Sequence, residues 1–189
     1  MKETDIINFS HQAIRKTTRR LFASKQSDVE KIKTAFEFVR DGIDHSWNVK
    51  CSRVTCKASE VLKWKEGICY AKSHLLAALL RSQKIPTGFF NQRLMLFDVP
   101  EKGYCIHALN TVLIKKSQKW IRLDARGNKP GINAQFSIDK EALAFSVKES
   151  LGEKDYPIIF ANPHPKIVET LMGSSNPLTM YLNHLPSEL

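Results

Sequence analysis

The chain has 189 residues, a length that suits one domain with a substantial core. Hydrophobic residues make up 42% and charged residues 25%, a balance that excludes wholesale disorder. Lysine and arginine number 29 and aspartate and glutamate 19, which gives a net charge of +10. The basic residues are scattered and no nucleic-acid-binding motif is present, so we interpret the charge as a solvated surface and expect no nucleic-acid partner.

No segment of the sequence is long and apolar enough to cross a membrane. The longest apolar run, 75–80, has six residues, whereas a span needs about 20. The N-terminus is charged from its second residue and has no apolar run of signal-peptide length. We therefore expect a cytoplasmic protein without a membrane partner, in which Cys51, Cys56, Cys69 and Cys105 are thiols.

The first half of the chain has the apolar spacing of helices. Ser27 or Asp28 can cap one of them, because both side chains accept hydrogen bonds from the first N–H groups of a helix. Another begins at Cys69 and is apolar nearly all round, so we expect it to be central and buried. We predict helices over 4–23 and 27–43, a loop over 44–58, a helical turn over 59–66, and a helix from Cys69 to about Gln83.

Three β-prone runs follow, and after them the composition changes. Six of the eight prolines lie from Pro130 onward, which indicates an irregular arm packed on the core. Helices followed by a strand meander predict an α+β fold in a single domain over 1–189. We predict strands over 88–97, 104–114 and 119–124, a core over about 28–128, and an arm over 129–189 with short helices near 138–145 and 165–173.

Cys69 has the surroundings of a reactive thiol. It lies at the predicted start of the buried helix, two residues after Gly67. The first turn of a helix has unpaired N–H groups and partial positive charge, so a thiolate is stabilised there. Gly67 permits a tight turn and leaves room for a substrate beside the sulfur. The alternative is a buried, inert cysteine.

His107 and Asp124 lie on successive predicted strands. A two-residue loop at Lys115 and Lys116 would place them directly opposite each other, and a register shift of two would keep both on one face. A carboxylate beside an imidazole fixes its tautomer and stabilises its cation. The alternatives are that His107 is a structural residue and that Asp124 is a turn residue. Together with Cys69, however, these residue types fit a catalytic set of a nucleophile, a general base and a residue that orients the base.

Three segments resemble, in order and spacing, the motifs of the transglutaminase-like superfamily. The resemblance covers roughly 28–128, about half of the chain, and three ordered motifs specify the superfamily but not the reaction. Lys84 stands where the family has a glycine, and Leu109 where it has a tryptophan. The segments are ASEVLKWKEGICYAKSHLLAALLRSQKIPT over 58–87, IHALN over 106–110 and WIRLDA over 120–125.

The resemblance implies a papain-like fold, in which a helix carrying the nucleophile packs on an antiparallel sheet carrying the base and the orienter. It implies that Cys69 attacks an amide carbonyl of a protein or peptide substrate, that His107 is the general base and acid, and that Asp124 orients His107. Water or an amine then resolves the acyl-enzyme thioester, and no cofactor or metal is implied. Some relatives stabilise the oxyanion with an indole N–H, which makes Trp47 a candidate here; the alternative is an aromatic side chain that covers the core.

Other positions and functions stay open. Cys105 lies two residues before His107 on one strand, so it either lines the cleft as a second thiol or packs in the core. Arg126 and Asn128 follow the orienter, and the sequence leaves open whether they line the cleft. A non-catalytic domain that holds a protein or peptide is the alternative function. A zinc site of Cys51, Cys56, Cys105 and His107 is a third hypothesis, with an unusual Cys-x-His spacing.

Overall fold

The structure is a computed structural model that describes residues 1–189. Helices precede a strand meander, and a further strand and two helices follow near the C-terminus. None of the helices combines the length and apolar character that a membrane crossing requires. The helices are α1 Gln12–Leu21, α2 Asp28–Gly42, α3 Ser46–Val49, α4 Ala58–Trp64, α5 Cys69–Ser82, α6 Pro165–Met172 and α7 Pro177–Asn183. The strands are β1 Asp44–His45, β2 Glu66–Gly67, β3 Thr87–Met95, β4 Tyr104–Ile114, β5 Lys119–Leu123 and β6 Lys154–Phe160.

Helix α5 is the centre of the molecule. Every residue from Cys69 to Arg81 is buried, and the helix packs against α2, α4, β3 and β4. The prediction of a central, buried helix is confirmed. The chain leaves the helix through Lys84, whose φ of +59° lies in the left-handed region. Glycine reaches that region without strain, which accounts for the glycine of the family motif at this position.

The main sheet has four antiparallel strands in the order β5-β4-β3-β6. Its central strands, β3 and β4, are buried along nearly their whole length. Helix α5 packs on β4 and β3, so the helix that begins at Cys69 lies on the sheet that carries His107. The predicted α+β fold is confirmed.

The β4–β5 hairpin differs from the prediction by two residues in register. A four-residue turn replaces the predicted two-residue loop, and Gln118 closes it with a φ of +53°. The register pairs Asn110 with Leu123, so Asp124 follows the end of β5 and is not directly opposite His107. An even shift keeps both residues on one face, and the diagonal neighbour stays within reach.

The C-terminal arm contributes a strand that the sequence analysis missed. Strand β6 pairs antiparallel with β3, with Asn91 opposite Tyr156 and Phe89 opposite Phe160. Pro157 argues against a central strand because it has no N–H to donate, but proline is tolerated on an edge strand. Since β6 is the edge of the sheet, the prediction of an irregular arm is wrong over this stretch.

Helix boundaries in the first half agree with the predictions to within a few residues, except at the N-terminus. Helix α1 begins at Gln12 and not at residue 4, because the preceding segment bonds to α4: the N–H of Ala58 donates to the Ile6 carbonyl at 2.9 Å. A capping box fixes the start of α2. The Ser27 hydroxyl accepts the N–H of Glu30 at 3.3 Å, and the Glu30 carboxylate accepts the N–H of Ser27 at 2.7 Å.

Two predictions on irregular segments are corrected. The stretch 44–58, predicted as loop, contains the short helix α3. The stretch 138–145, predicted as helix, has no helical turn. Its backbone bonds elsewhere instead, since the N–H of Ala144 donates to the Asp124 carboxylate at 3.2 Å. The helix predicted near 165–173 is confirmed as α6.

One hydrophobic core includes residues from the C-terminal part of the chain. Ile167 and Leu171 of α6 and Met180 of α7 belong to the same cluster as the buried side chains of α5 and β4. All three are at most 2% exposed. The arm is therefore packed against the core, while the division into a core over about 28–128 and an arm within one domain stays a prediction.

We predict that Leu171→Ala lowers the free energy of unfolding by about 2–4 kcal/mol, because it opens a cavity in a packed site. The neighbouring Met172 is 68% exposed, so it provides a matched control. Met172→Ala should change the free energy of unfolding by less than about 0.5 kcal/mol. Urea denaturation of both variants and the wild type measures the difference. Equal stability of the two variants would contradict the packing of the arm on the core.

Candidate active site

Cys69 is the first residue of α5. Ile68, the N-cap, has no polar side chain, so the first N–H groups of the helix have no side-chain cap. The helix therefore presents its partial positive charge beside the sulfur. Gly67 acts through close packing and has no positive φ: a β-carbon there would lie 3.0 Å from the Ala71 β-carbon and 3.1 Å from Thr55 Oγ1.

His107 and Asp124 form a buried pair. Nε2 of His107 and Oδ2 of Asp124 are 2.7 Å apart, and the two side chains are 4% and 1% exposed. The carboxylate also accepts the N–H of Arg126 at 3.1 Å on Oδ1 and the N–H of Ala144 at 3.2 Å on Oδ2. Both carboxylate oxygens are thus satisfied, as a buried charge requires.

Electrostatics favour the charged form of both partners. Burial by itself would lower the pKa of the His107 imidazole, but the Asp124 carboxylate and the Cys69 sulfur raise it to about 10. Burial likewise would raise the pKa of Asp124, but the neighbouring His107 holds it below its usual value. The pair is therefore an imidazolium and a carboxylate at neutral pH.

A cavity of about 600 Å³ opens beside this pair. Cys69 and His107 both line it, whereas Asp124 lies behind His107 and does not reach it. The C-terminal arm supplies part of the wall through Phe145 and Tyr181. The structure therefore brings the three predicted residues together and exposes two of them to one space; their catalytic roles stay predictions.

Aromatic side chains cover one end of the cavity. Trp47 lines it, with its ring stacked on Tyr181 of α7 at a centroid distance of 4.8 Å and an angle of 19°. Phe97 contacts both rings, at 5.4 Å from Trp47 and 5.8 Å from Tyr181. The ring of Phe145 stands edge-on to His107 at 5.1 Å. Nothing in the local sequence around Phe145 or Tyr181 indicates which distant groove these side chains cover.

Cys105 is a second thiol in the cavity wall. Burial, followed by the charges of Cys69 and Glu153, raises the pKa of its thiol to about 12. A thiol with that pKa is almost entirely protonated at neutral pH and is a poor nucleophile. The structure therefore places Cys105 beside the cleft in a form suited to packing.

His45 and Arg126 also line the cavity. The pairing of β1 with β2 sets His45 beside Gly67, two residues before the sulfur. Burial, and then the charge of Arg126, lowers the pKa of His45 well below its usual value, so the ring is neutral. Its Nδ1 is buried without a hydrogen-bond partner. A two-residue strand inside a predicted loop leaves no periodic signal, and the sequence offered His45 only as a weaker candidate than Trp47.

The side chain of Lys72 connects helix α5 to the C-terminal end of helix α2. Its amine is fully buried and donates to the carbonyl of Ile43 at 2.5 Å and of Arg40 at 3.2 Å, at the C-terminal end of α2. Burial lowers the pKa of this amine to about 7. Gly127, with a φ of +108°, passes so close that a β-carbon would lie 3.1 Å from the Lys72 nitrogen. The chain after Asp124 therefore passes in close contact with Lys72.

The zinc hypothesis is wrong as it was framed. No three His, Cys, Asp or Glu side chains are grouped where they could hold a metal ion. His107 uses its Nε2 for Asp124. The set of Cys51, Cys56, Cys105 and His107 is therefore not assembled.

Residues 15–125 match the family model of the transglutaminase-like superfamily. The match spans more than half of the chain and includes Cys69, His107 and Asp124, so the chain belongs to this superfamily. Its members are typically cysteine-dependent enzymes. The resemblance seen in the three sequence motifs is confirmed at this level. No curated protein matches the chain.

The solved structures that are similar to this chain include the following two. One is a protein of Cytophaga hutchinsonii described as a putative cysteine protease, with 18% identity and a TM-score of 0.52 over 66% of this chain and 40% of that chain. The other is described as a TGase, with 19% identity and a TM-score of 0.42 over 78% of this chain and 37% of that chain. The first shows a shared fold. This chain spans 40% of the length of that relative.

We predict that His107 stays protonated through about pH 8 in the wild type, because its pKa is raised to about 10. Asp124→Asn removes the opposing charge at nearly constant shape, so burial dominates and the pKa of His107 should fall by at least about 2. Asp155→Asn is the control, since Asp155 pairs with Arg122 and not with His107. Nitrogen-15 NMR titration of the histidine rings measures both. An equal His107 pKa in the two variants would contradict the assigned cause.

Proposed function

We propose that this protein is a thiol enzyme that acts on amide bonds of proteins or peptides through Cys69, His107 and Asp124. The observation that carries the proposal is the buried pair of His107 and Asp124, 2.7 Å apart, beside a cavity that Cys69 also lines. A nucleophile, a general base and a group that orients the base are the three parts that such chemistry needs. A purely binding domain has no need of a buried ion pair behind an enclosed thiol.

In the first step the thiolate of Cys69 attacks the amide carbonyl carbon and forms a tetrahedral intermediate. The imidazolium of His107 then gives its proton to the departing amine as the C–N bond breaks, which leaves a thioester on Cys69. Asp124 holds the ring in place and stabilises its cation before transfer. The uncapped N–H groups at the start of α5 are donors for the oxyanion, and Trp47 is the proposed side-chain donor.

In the second step His107 takes a proton from an incoming nucleophile, which attacks the thioester and frees Cys69. We propose that this nucleophile is water. Transfer to an amine requires a shaped second site that excludes water, whereas hydrolysis requires only access of solvent to the thioester. A cytoplasmic location, where thiols stay reduced, belongs to the same proposal and agrees with the four free cysteines.

We predict that iodoacetamide at pH 7 labels Cys69 selectively. Cys69→Ala should abolish the fast labelling, whereas Cys105→Ser should change its rate by less than about twofold, because burial keeps the Cys105 thiol protonated. Cys105 is a matched control, since it lines the same cavity. Peptide mapping by mass spectrometry measures the labelled site. Labelling of Cys69→Ala at the wild-type rate would contradict the proposal and favour a non-catalytic binding domain.

The identity of the acyl acceptor needs a separate experiment. We expect wild-type protein, incubated with a casein digest and a fluorescent primary amine, to release new amino termini without incorporating the amine. Cys69→Ala is the negative control for both measurements, the release of amino termini and the incorporation of the amine. Incorporation of the amine at a rate equal to or above hydrolysis would contradict the choice of water while leaving the thiol chemistry intact.

A further inference from the structure

Arg126 is a buried cation without an ionic partner. It is 3% exposed and lines the cavity that holds Cys69 and His107. The guanidinium makes two long hydrogen bonds, to the Gly127 carbonyl at 3.3 Å and to Asn48 Oδ1 at 3.4 Å, and no salt bridge. A buried charge is costly unless an opposite charge or strong hydrogen bonds compensate it. Within the protein, the buried charge of Arg126 is therefore only weakly compensated.

The carboxylate of Asp124 does not compensate this charge. Asp124 Oδ1 accepts the backbone N–H of Arg126, whereas Oδ2 bonds to His107 and to the N–H of Ala144, and neither oxygen bonds to the guanidinium. His45 also lines the cavity, but its ring is neutral and does not compensate the charge of Arg126. Arg126 therefore lines the cavity as a guanidinium to which no carboxylate of the protein is bound.

We infer that Arg126 binds a carboxylate of the substrate. This inference rests on the proposed thiol chemistry at Cys69. A guanidinium presents a planar fork that matches the two oxygens of a carboxylate, which makes arginine the suitable residue for such a site. The substrate class is thus an amide with a carboxylate near the bond that reacts.

The position of Arg126 limits the distance between that carboxylate and the amide bond that reacts. The guanidinium carbon lies 5.7 Å from the Phe145 ring centroid, and the His107 ring centroid lies 5.1 Å from the same point. Arg126 and His107 are therefore no more than about 11 Å apart. An extended peptide advances about 3.3–3.6 Å per residue, so the carboxylate belongs to a residue within about three positions of the reacting amide.

The first test compares an anionic and a neutral alkylating reagent. The ratio of the iodoacetate rate to the iodoacetamide rate at Cys69 should fall about tenfold in Arg126→Gln, because a buried charge acts through a low dielectric. Lys129→Gln is the charge-matched control: Lys129 is at the exposed rim of the same cavity, where solvent screens it, so the ratio should change less than about twofold. Equal ratios in the two variants would overturn the inference.

The second test uses wild-type protein and so does not depend on the folding of a variant. N-acetylglutamate α-amide, with a side-chain carboxylate, and N-acetylglutamine, with a terminal one, are compared with N-acetylglutamine amide, which has none, as protectants of Cys69 against iodoacetamide. We expect at least one anionic ligand to protect about fivefold more strongly than the neutral one, and the better anion identifies the source of the carboxylate. Equal protection by all three would overturn the inference.

The two proposals fail in different ways. Rapid iodoacetamide labelling of wild type that is lost in Cys69→Ala supports the thiol chemistry whatever the charge preference. If this labelling persists in Arg126→Gln while the iodoacetate ratio does not change, the carboxylate site is wrong and the thiol chemistry stands. If wild type reacts as slowly as an ordinary buried thiol, the proposed function fails first, and the carboxylate inference fails with it.

Discussion

The buried ion pair of His107 and Asp124 is the interaction on which the surroundings of the cleft depend. Two charges that are 4% and 1% exposed are stable in the interior only if every lone pair and proton has a partner. Strand β4 supplies the imidazole, the chain after β5 supplies the carboxylate, and the arm supplies the N–H of Ala144. The His107–Asp124 pair therefore depends at once on the position of β4, on where β5 ends and on the path of the arm at Ala144.

Helix α5 delivers the sulfur to that pair. Its all-round apolar sequence places it at the centre of the core, so its first residue has a fixed position relative to the sheet. Lys72 binds the end of α2, and Gly127 passes against Lys72. The side chain of Lys72 thus lies between the end of α2 and the chain that follows Asp124. The same packing leaves Arg126 lining the cavity without a salt bridge.

The sequence was sufficient for the parts that local chemistry determines. Apolar periodicity predicted α2, an all-round apolar run predicted α5, β-prone composition predicted β4, and three ordered motifs predicted the superfamily. The sequence was insufficient where contacts between residues far apart in the chain determine the local structure. Strand β6 forms despite Pro157 because it occupies an edge, and 138–145 is not helical because the N–H of Ala144 bonds to Asp124. The stacking of Tyr181 on Trp47 joins residues far apart in the chain and leaves no local signal.

The pH–rate profile of Cys69 alkylation by iodoacetamide, measured for wild type and for His107→Ala, tests the central claim most directly. If Cys69 and His107 form a thiolate–imidazolium pair, the wild-type rate stays high well below about pH 8.5, where an ordinary thiol is protonated. In His107→Ala the profile should then return to that of an ordinary thiol. Two profiles that coincide, both rising only near the ordinary thiol pKa, would contradict the claim that the three residues act as one catalytic unit.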